Sequence, residues 1–311
     1  MKILFMGTPD FAVFSLKAIV ESGKHKICGV VTQPDKPKGR GYAMLPPPVK
    51  VYAEENGLDV YQPTTLRDES FAALLSELDP EIIVVVAYGK ILPKNVLDYA
   101  KYGCVNVHGS LLPEYRGAAP MQRAIIDGKT VTGITTMYMA EGLDTGDMLL
   151  KAELPIEEND NFEDIHDKLG TLGASLILDT LDALTDGTAK RIPQDDSMST
   201  YAAKITKEDC LLDFSKDART IHNLIRGLSP IPLSFTHTPD GKLLKVLEAR
   251  INEEISENTN VGEVISLDGG ITVACGKGSV TLLRVLPEGK PRMNASDFIR
   301  GRKIAIGDIL K

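Results

Sequence analysis

The sequence predicts an α/β fold: a Rossmann-like, mostly parallel sheet with helices on both faces, followed by a small OB-like β-barrel. Apolar runs of strand length alternate with segments of helical periodicity through the first ~190 residues, as in a parallel sheet with crossover helices. The run IIVVV at residues 82–86 is apolar throughout, which is typical of a strand buried on both faces. Short strands separated by Gly, Asp and Asn turns fill the last ~100 residues and favour the barrel.

The alternating part begins with a strand and a helix. Thr8 is expected to cap this helix, with Pro9 at its first position. A Gly-x-Gly-x-x-Gly spacing is missing after the strand, which counts against a nicotinamide enzyme. The predicted strands are residues 2–6, 26–32, a short stretch near Val60, 82–87 and 104–108. The predicted helices are residues 11–21, 49–56, 68–78, 93–99 and 118–127.

After Lys129 the pattern changes. Residues 131–139 and 147–154 are β-rich and predict an antiparallel pair added to the sheet, and residues 161–186 predict a long helix. Residues 192–203 are rich in Pro, Asp, Ser and Thr without periodicity, which predicts a linker.

The remainder predicts one helix and the strands of the barrel. The helix covers residues 217–227, and the strands cover residues 233–236, 243–251, 262–267, 270–274 and 279–287. We therefore expect a first domain over residues 1–190, a linker over residues 191–204 and a second domain over residues 205–311.

Composition and charge exclude several classes of protein. The net charge is −8, which argues against indiscriminate binding of nucleic acid. The charge is uneven, since residues 205–311 carry 15 Lys and Arg against 14 Asp and Glu, whereas residues 1–204 carry 20 against 29. Local contact with a polyanion is therefore permitted but not required. No apolar run reaches about 18 residues, and the four cysteines form no Cys-x-x-Cys pair, so we expect no membrane span, no metal site and a cytoplasmic location.

A basic loop follows the second predicted strand. Residues 32–48 carry Lys36, Lys38 and Arg40 among glycines and prolines, with one acidic residue. The loop leaves the carboxyl end of the strand, which is the edge where open α/β sheets bind ligands. Two interpretations stay open on position and charge alone: a solvated surface loop, or a loop that binds phosphates.

The most informative segment follows the last predicted parallel strand. Asn106 and His108 are two residues apart, so their side chains share one face of the strand at a separation of about 6.6–7 Å, close enough to flank one reacting atom. Gly109 allows a sharp turn, after which residues 110–113 cross the strand ends. Asp144 lies in a glycine-rich stretch that is a simple turn when taken alone, but beside His108 its carboxylate could orient or charge the imidazole.

These segments resemble a known family, the formyltransferases that use 10-formyltetrahydrofolate. The resemblance is carried by residues 106–120 (NVHGSLLPEYRGAAP) and residues 142–147 (GLDTGD). It extends over the whole chain to the branch of the family that formylates methionyl-tRNA, through residues 5–11 (FMGTPDF), 33–41 (QPDKPKGRG) and 86–89 (VAYG).

The resemblance implies a Rossmann-like catalytic domain and an OB-like domain that helps to hold tRNA. It implies Asn106, His108 and Asp144 as catalytic residues and no metal. It also implies initiator methionyl-tRNA as the partner of a monomeric enzyme. The folate site it implies comprises Ser110, Leu111, Leu112, Pro113, Tyr88 and Gly89, and the implied tRNA contacts are Lys36, Lys38 and Arg40.

One departure from the family and three alternatives accompany this interpretation. The family usually has a tryptophan where this chain has residues 229–234, and the chain contains no tryptophan. The alternatives are a formyltransferase acting on an amino sugar nucleotide, a glycinamide ribonucleotide formyltransferase, which lacks the second domain, and a non-catalytic RNA-binding protein.

Overall fold

A computed structural model describes residues 1–38, 43–252 and 259–311. The chain forms two compact units. The first comprises Met1–Gly117, Thr132–Pro155 and His166–Tyr201, and the second comprises Ala118–Val131, Ile156–Ile165 and Ala202–Lys311.

The described residues form strands and helices in an order close to the predicted one. The strands are β1 (Lys2–Gly7), β2 (Lys26–Val31), β3 (Lys36–Lys38), β4 (Ala43–Leu45), β5 (Val60–Tyr61), β6 (Ile82–Val86), β7 (Cys104–His108), β8 (Arg116–Gly117), β9 (Val131–Tyr138), β10 (Met148–Pro155), β11 (Tyr201–Ala202), β12 (Ser234–His237), β13 (Leu243–Asn252), β14 (Val264–Ser266), β15 (Ile271–Ala274), β16 (Ser279–Pro287) and β17 (Met293–Asn294). The α-helices are α1 (Asp10–Ser22), α2 (Pro48–Glu55), α3 (Glu69–Leu78), α4 (Lys94–Leu97), α5 (Pro120–Ile126), α6 (Phe162–Thr185), α7 (Ala218–Gly227) and α8 (Ala295–Arg300).

The first unit is built on a seven-stranded sheet in the order β10-β9-β7-β6-β1-β2-β5. The strands from β7 to β5 are parallel, and β9 pairs antiparallel with β7. All residues of β6 are buried, as its unbroken apolar run predicts. On one face of the sheet, alternate side chains of β1 and β6 pack into a core shared with Phe71 and Leu75 of α3. The predicted parallel sheet is therefore confirmed.

The start of α1 differs from the prediction. The helix begins at Asp10 and Pro9 is its N-cap residue, without a side-chain capping bond. Thr8 does not cap the helix. Its hydroxyl instead donates to the carbonyl oxygen of Tyr88, 3.0 Å away, and so ties the end of β1 to the end of β6.

The second unit contains an antiparallel sheet in the order β12-β13-β16-β15-β14, with β17 added beside β16. The ladder between β13 and β16 is irregular between Val246 and Ala249, and irregularities of this kind bend and twist a strand. The core on its inner face includes Leu244, Val280 and Leu282 together with Ile221 and Ile225 of α7. This curled sheet agrees with the predicted small barrel and confirms the fold class.

Several short elements were not predicted, β8 and β11 among them. The basic loop contains a short antiparallel hairpin formed by β3 and β4, and the end of the chain contains β17 and α8. Neither the hairpin nor the end of the chain has a long periodic pattern of apolar residues from which a strand or helix could be predicted. Among the described residues, no helix combines the length and apolar character needed to cross a membrane.

A buried histidine lies on α7 in the second unit. His222 is 5% exposed, and its Nδ1 atom has no hydrogen-bond partner within the described part of the chain. Burial, together with the positive charge of Arg226, lowers the pKa of His222 from 6.5 to about 4, although the carboxylate of Glu158 opposes this shift. The folded protein therefore keeps this imidazole neutral.

We expect acid to destabilise the second unit through His222. Below a pH of about 6.5, His222 binds a proton in the unfolded chain but stays neutral in the folded chain. The free energy of unfolding therefore falls by up to about 1.4 kcal/mol per pH unit. His222→Gln removes the titration and should flatten this slope, measured by denaturant unfolding between about pH 7.5 and about pH 5. His237→Gln, at a more exposed histidine, is the control. An unchanged slope in His222→Gln would contradict the prediction.

Candidate active site

The carboxyl ends of three parallel strands are joined by hydrogen bonds at one edge of the first unit's sheet. The side-chain amide of Gln33, after β2, donates to the carbonyl oxygen of Tyr88 at 3.2 Å, and its backbone N–H donates to the Thr8 hydroxyl at 3.4 Å. The loops that follow β1, β2 and β6 therefore form one connected surface. This is the edge at which parallel sheets bind ligands.

His108 ends β7 at the same edge and is 6% exposed. Its Nε2 atom lies 2.9 Å from the carbonyl oxygen of Tyr115. A carbonyl can only accept a hydrogen bond, so Nε2 carries the proton and donates it. The other ring nitrogen, Nδ1, lies 3.7 Å from Oδ2 of Asp144. The structure thus brings His108 and Asp144 together, with Nδ1 as the ring nitrogen that faces the carboxylate.

Asp144 is held in an unusual backbone conformation. Its φ angle is 51°, in the left-handed region that costs a non-glycine residue about 1–2 kcal/mol. Its Oδ2 atom accepts a hydrogen bond of 2.9 Å from the backbone N–H of Gly117. The side chain is 15% exposed. The segment is therefore a turn that places the Asp144 carboxylate beside His108.

Asn106 lies two residues before His108 in β7 and pairs with Met137 of β9. The alternation of side chains along a strand places it on the same face as His108. It is half-buried. The structure therefore places Asn106 and His108 on one face of β7, with Asp144 beside His108.

The wall formed by residues 110–113 is braced by β9 and β10. The hydroxyl of Thr135 donates to the carbonyl oxygen of Ser110 at 2.7 Å and accepts from the N–H of Leu112 at 3.1 Å. The carbonyl oxygen of Leu112 accepts from the ammonium of Lys151. Ser110 and Leu112 are fully buried, whereas Leu111 and Pro113 are only half-buried. Leu111 and Pro113 are therefore the more exposed members of this wall.

The other predicted folate residues follow β6. The Tyr88 side chain is 2% exposed and belongs to the core between β6 and the helices, where burial raises its pKa to about 12. Gly89 is exposed and has a φ angle of 84°. At this position, a ligand at the sheet edge can meet the backbone and not the phenol.

The base of the basic loop is fixed by a polar cluster. The ammonium of Lys50 donates to both carboxylate oxygens of Asp35 at 3.0 and 2.9 Å and to Gln62, whose amide donates to Asp35 at 2.8 Å. These hydrogen bonds lower the pKa of the Asp35 carboxyl group. Lys36 is exposed on β3, Lys38 ends the same strand, and Arg40 lies outside the described residues.

Hydrogen bonds from residues that were not predicted support the segment around Asp144. The Gln194 amide donates to the carbonyl oxygens of Asp144 and Gly146, both at 2.8 Å. The Arg116 guanidinium donates to the Gln194 side-chain oxygen at 2.9 and 2.8 Å. Thr200 accepts from the N–H of Tyr115 at 2.8 Å. Gln194 and Thr200 fall within the segment predicted to be a linker, where composition alone carries no signal of such contacts.

Comparison with protein families assigns both parts of the chain. Residues 1–181 match the model of the formyl transferase family, and residues 204–303 match the model of the formyl transferase C-terminal domain. A methionyl-tRNA formyltransferase from Syntrophus aciditrophicus is 49% identical over 311 residues, which cover 100% of this chain and 99% of that protein. The chain belongs to the formyl transferase family, among the methionyl-tRNA formyltransferases. The enzyme of the same name from Geotalea uraniireducens is 48% identical and covers 100% of this chain and 98% of its own.

Solved structures with low sequence identity share the fold of this formyltransferase. An N-formyltransferase from Helicobacter canadensis, in complex with folinic acid and dTDP-3-aminofucose, has a TM-score of 0.66 at 19% identity and covers 91% of this chain and 99% of its own. HypX from Aquifex aeolicus in complex with tetrahydrofolic acid also has a TM-score of 0.66, at 17% identity, and covers 97% of this chain but 47% of its own. The relatives of high identity carry methionyl-tRNA in their names, which favours that branch over the amino sugar alternative.

We expect Gly146→Ala to disable the Asp144 loop. A Cβ atom at this position would overlap the carbonyl oxygen of Tyr138, so the backbone must shift. Overpacking of this kind costs about 1–3 kcal/mol, and a displacement of about 1 Å near a reacting group can lower a rate ~100-fold. The measurements are thermal unfolding and the rate of formyl transfer.

Gly187→Ala is the control for this prediction. Gly187 has a φ of 70° and open space around its Cα, so alanine adds backbone strain without touching the loop. It should lower stability and leave the rate of formyl transfer of the folded protein unchanged. Equal rates in the two variants would show that the loop tolerates displacement.

Proposed function

We propose that this chain moves the formyl group of 10-formyltetrahydrofolate to the α-amino group of methionyl-initiator tRNA with Asn106, His108 and Asp144 as catalytic residues. One observation carries this proposal. Because Nε2 of His108 is committed to the carbonyl of Tyr115, the ring presents Nδ1 towards the Asp144 carboxylate. This is an acid–base pair with a defined tautomer at the ligand-binding edge of the sheet.

The formyl donor is a substrate that brings a carbonyl carbon to the site, and its oxygen gains negative charge when an amine attacks. Asn106 and the Nδ1–H of protonated His108 are suited to donate hydrogen bonds to that oxygen, since both lie on one face of β7. A donor of this kind typically contributes about 3–4 kcal/mol to lowering the barrier, or ~10²–10³ in rate.

Asp144 has two tasks in this scheme. Its carboxylate, 3.7 Å from Nδ1 of the imidazole, orients the ring that donates to the formyl oxygen. The same carboxylate, directly or through a water molecule, accepts the proton that the attacking amine loses and passes it to the leaving folate nitrogen. The N–H of Gly117 holds Oδ2 in place throughout.

The apolar side chains of Leu111 and Pro113 are suited to pack against the flat ring system of the folate. Ser110 and Leu112 are buried and serve by holding the shape of the wall, and the backbone near Tyr88 and Gly89 can offer polar contacts. Two solved structures of similar fold are complexes with folinic acid and with tetrahydrofolic acid, which supports a folate as the donor.

The tRNA side of the proposal rests on the basic loop and the second unit. The positive charges of Lys36, Lys38 and Arg40 in the sequence of this loop are suited to neutralise phosphates of the acceptor end, and the second unit would offer a further contact surface. The domain division at residues 191–204, the monomeric state and the cytoplasmic location stay predictions.

The first test removes the proposed catalytic groups one at a time. We expect Asn106→Ala and His108→Ala to lower kcat about 10²–10³-fold, because each removes one donor to the formyl oxygen, and we expect Asp144→Ala to lower it comparably. Rates are measured with saturating 10-formyltetrahydrofolate and charged initiator tRNA. His237→Gln is the control for histidine replacement. Turnover near that of the wild type in His108→Ala or Asp144→Ala would overturn the mechanism.

A competition assay tests the acceptor. The wild-type protein is offered 10-formyltetrahydrofolate with charged initiator tRNA, charged elongator tRNA and an amino sugar nucleotide, and mass spectrometry identifies the formylated product. The proposal expects the initiator tRNA to be formylated. A formylated sugar would establish the alternative, and binding of tRNA without turnover would establish a non-catalytic RNA-binding protein.

A third test concerns the basic loop. Lys36→Ala should weaken binding of charged initiator tRNA and reduce the slope of log affinity against log salt concentration by about 1, because one phosphate contact is lost. Folate affinity should not change. The control is Lys17→Ala, which removes another exposed lysine, on α1. Equal losses in the two variants would mean that only the overall charge matters.

A further inference from the structure

We propose that Gln194 is a positioning residue for formyl transfer: its side-chain amide, clamped by Arg116, sets the place of the Asp144 carboxylate. The inference rests on the proposed catalytic role of Asp144 and adds a further residue to the same site. It is carried by a chain of hydrogen bonds that lies entirely within the first unit.

The Asp144 loop depends on outside contacts for its shape. The φ angle of 51° at Asp144 is unfavourable for a residue with a Cβ atom, so the surrounding structure must impose it. A Cβ atom on Gly142 would collide with the side chain of Thr145, so the turn is also closely packed. A loop of this kind relaxes when its contacts are removed.

Two contacts hold the Asp144 loop. One comes from Gly117 and the other from Gln194. The N–H of Gly117 binds the carboxylate, and the Gln194 amide group binds the carbonyl oxygens of Asp144 and Gly146. The first contact fixes the carboxylate oxygen itself. The second contact fixes the backbone on both sides of Thr145. It therefore sets the position of the Asp144 backbone, from which the carboxylate extends.

The orientation of Gln194 is unambiguous. Its side-chain oxygen accepts two hydrogen bonds from Arg116, and a guanidinium can only donate. The amide NH₂ must therefore face the two loop carbonyls, which can only accept. The Arg116 side chain is 11% exposed, so the clamp is largely shielded from water. An amide is the side-chain group that satisfies both neighbours at once.

The chemistry of the clamp defines the variants. Gln194→Met has a similar length and removes the hydrogen bonds without adding charge. Gln194→Glu keeps the pairing with Arg116 but turns an oxygen towards two carbonyl oxygens. Asp196→Asn is the matched control, since Asp196 also pairs with Arg116 at 2.7 Å but is 82% exposed, and exposed pairs contribute little.

The experiment measures kcat and both KM values for the full chain, with thermal unfolding to verify folding. We expect Gln194→Met and Gln194→Glu to lower kcat about 10–100-fold, as is typical for groups that orient a reacting residue, with both KM values within about twofold of wild type. Asp196→Asn should keep wild-type kcat. A purely structural role would lower the melting temperature and leave kcat of the folded protein unchanged, which would overturn the inference.

A double-mutant cycle decides whether Gln194 acts through Asp144. In the Asp144→Ala background, Gln194→Met should lower kcat by less than about twofold further, because the group that it positions is already gone. A full additional loss would overturn the positioning role. If Asp144→Ala itself kept wild-type turnover, the catalytic role of Asp144 would be overturned and the positioning role with it. A normal Gln194→Met beside an impaired Asp144→Ala would overturn the inference alone.

Discussion

The hydrogen bond from Nε2 of His108 to the carbonyl oxygen of Tyr115 determines how the site can work. A backbone carbonyl can only accept a hydrogen bond, so it fixes which nitrogen of the neutral imidazole carries the proton. The other nitrogen, Nδ1, is the one that faces Asp144, and the proposed mechanism uses it. The geometry depends on the path of the chain from Gly109 to Tyr115, which Thr135 holds through Ser110 and Leu112.

The sheet behind the site supplies rigidity that its loops lack. The wholly buried β6 and its parallel neighbours hold the strand ends in register, and hydrogen bonds from Thr8 and Gln33 to Tyr88 join the loops that leave them. The proposed acid–base pair of His108 and Asp144 therefore lies at the end of strands held by a packed core.

Much of the fold could be predicted from the sequence because its elements have clear periods. The buried run of β6, the alternating strands and the long α6 all show in the pattern of apolar residues, and Asn106, His108 and Asp144 stand in motifs with a recognisable chemistry. Gln194 and Thr200 could not be predicted, since they act through hydrogen bonds between segments about 50 and 85 residues apart in sequence. The exact start of α1 and the burial of Tyr88 were also decided by tertiary contacts.

Three consecutive residues each contribute a different part of the site. Tyr115 provides the acceptor for His108, Arg116 provides the clamp on Gln194, and Gly117 provides the donor to Asp144. Loss or gain of a single residue between His108 and Gly117 would put all three contacts out of register together. The segment between His108 and Gly117 can therefore tolerate substitutions at its exposed positions, but not insertions or deletions. Adaptation to a different acceptor has to occur in the surrounding segments.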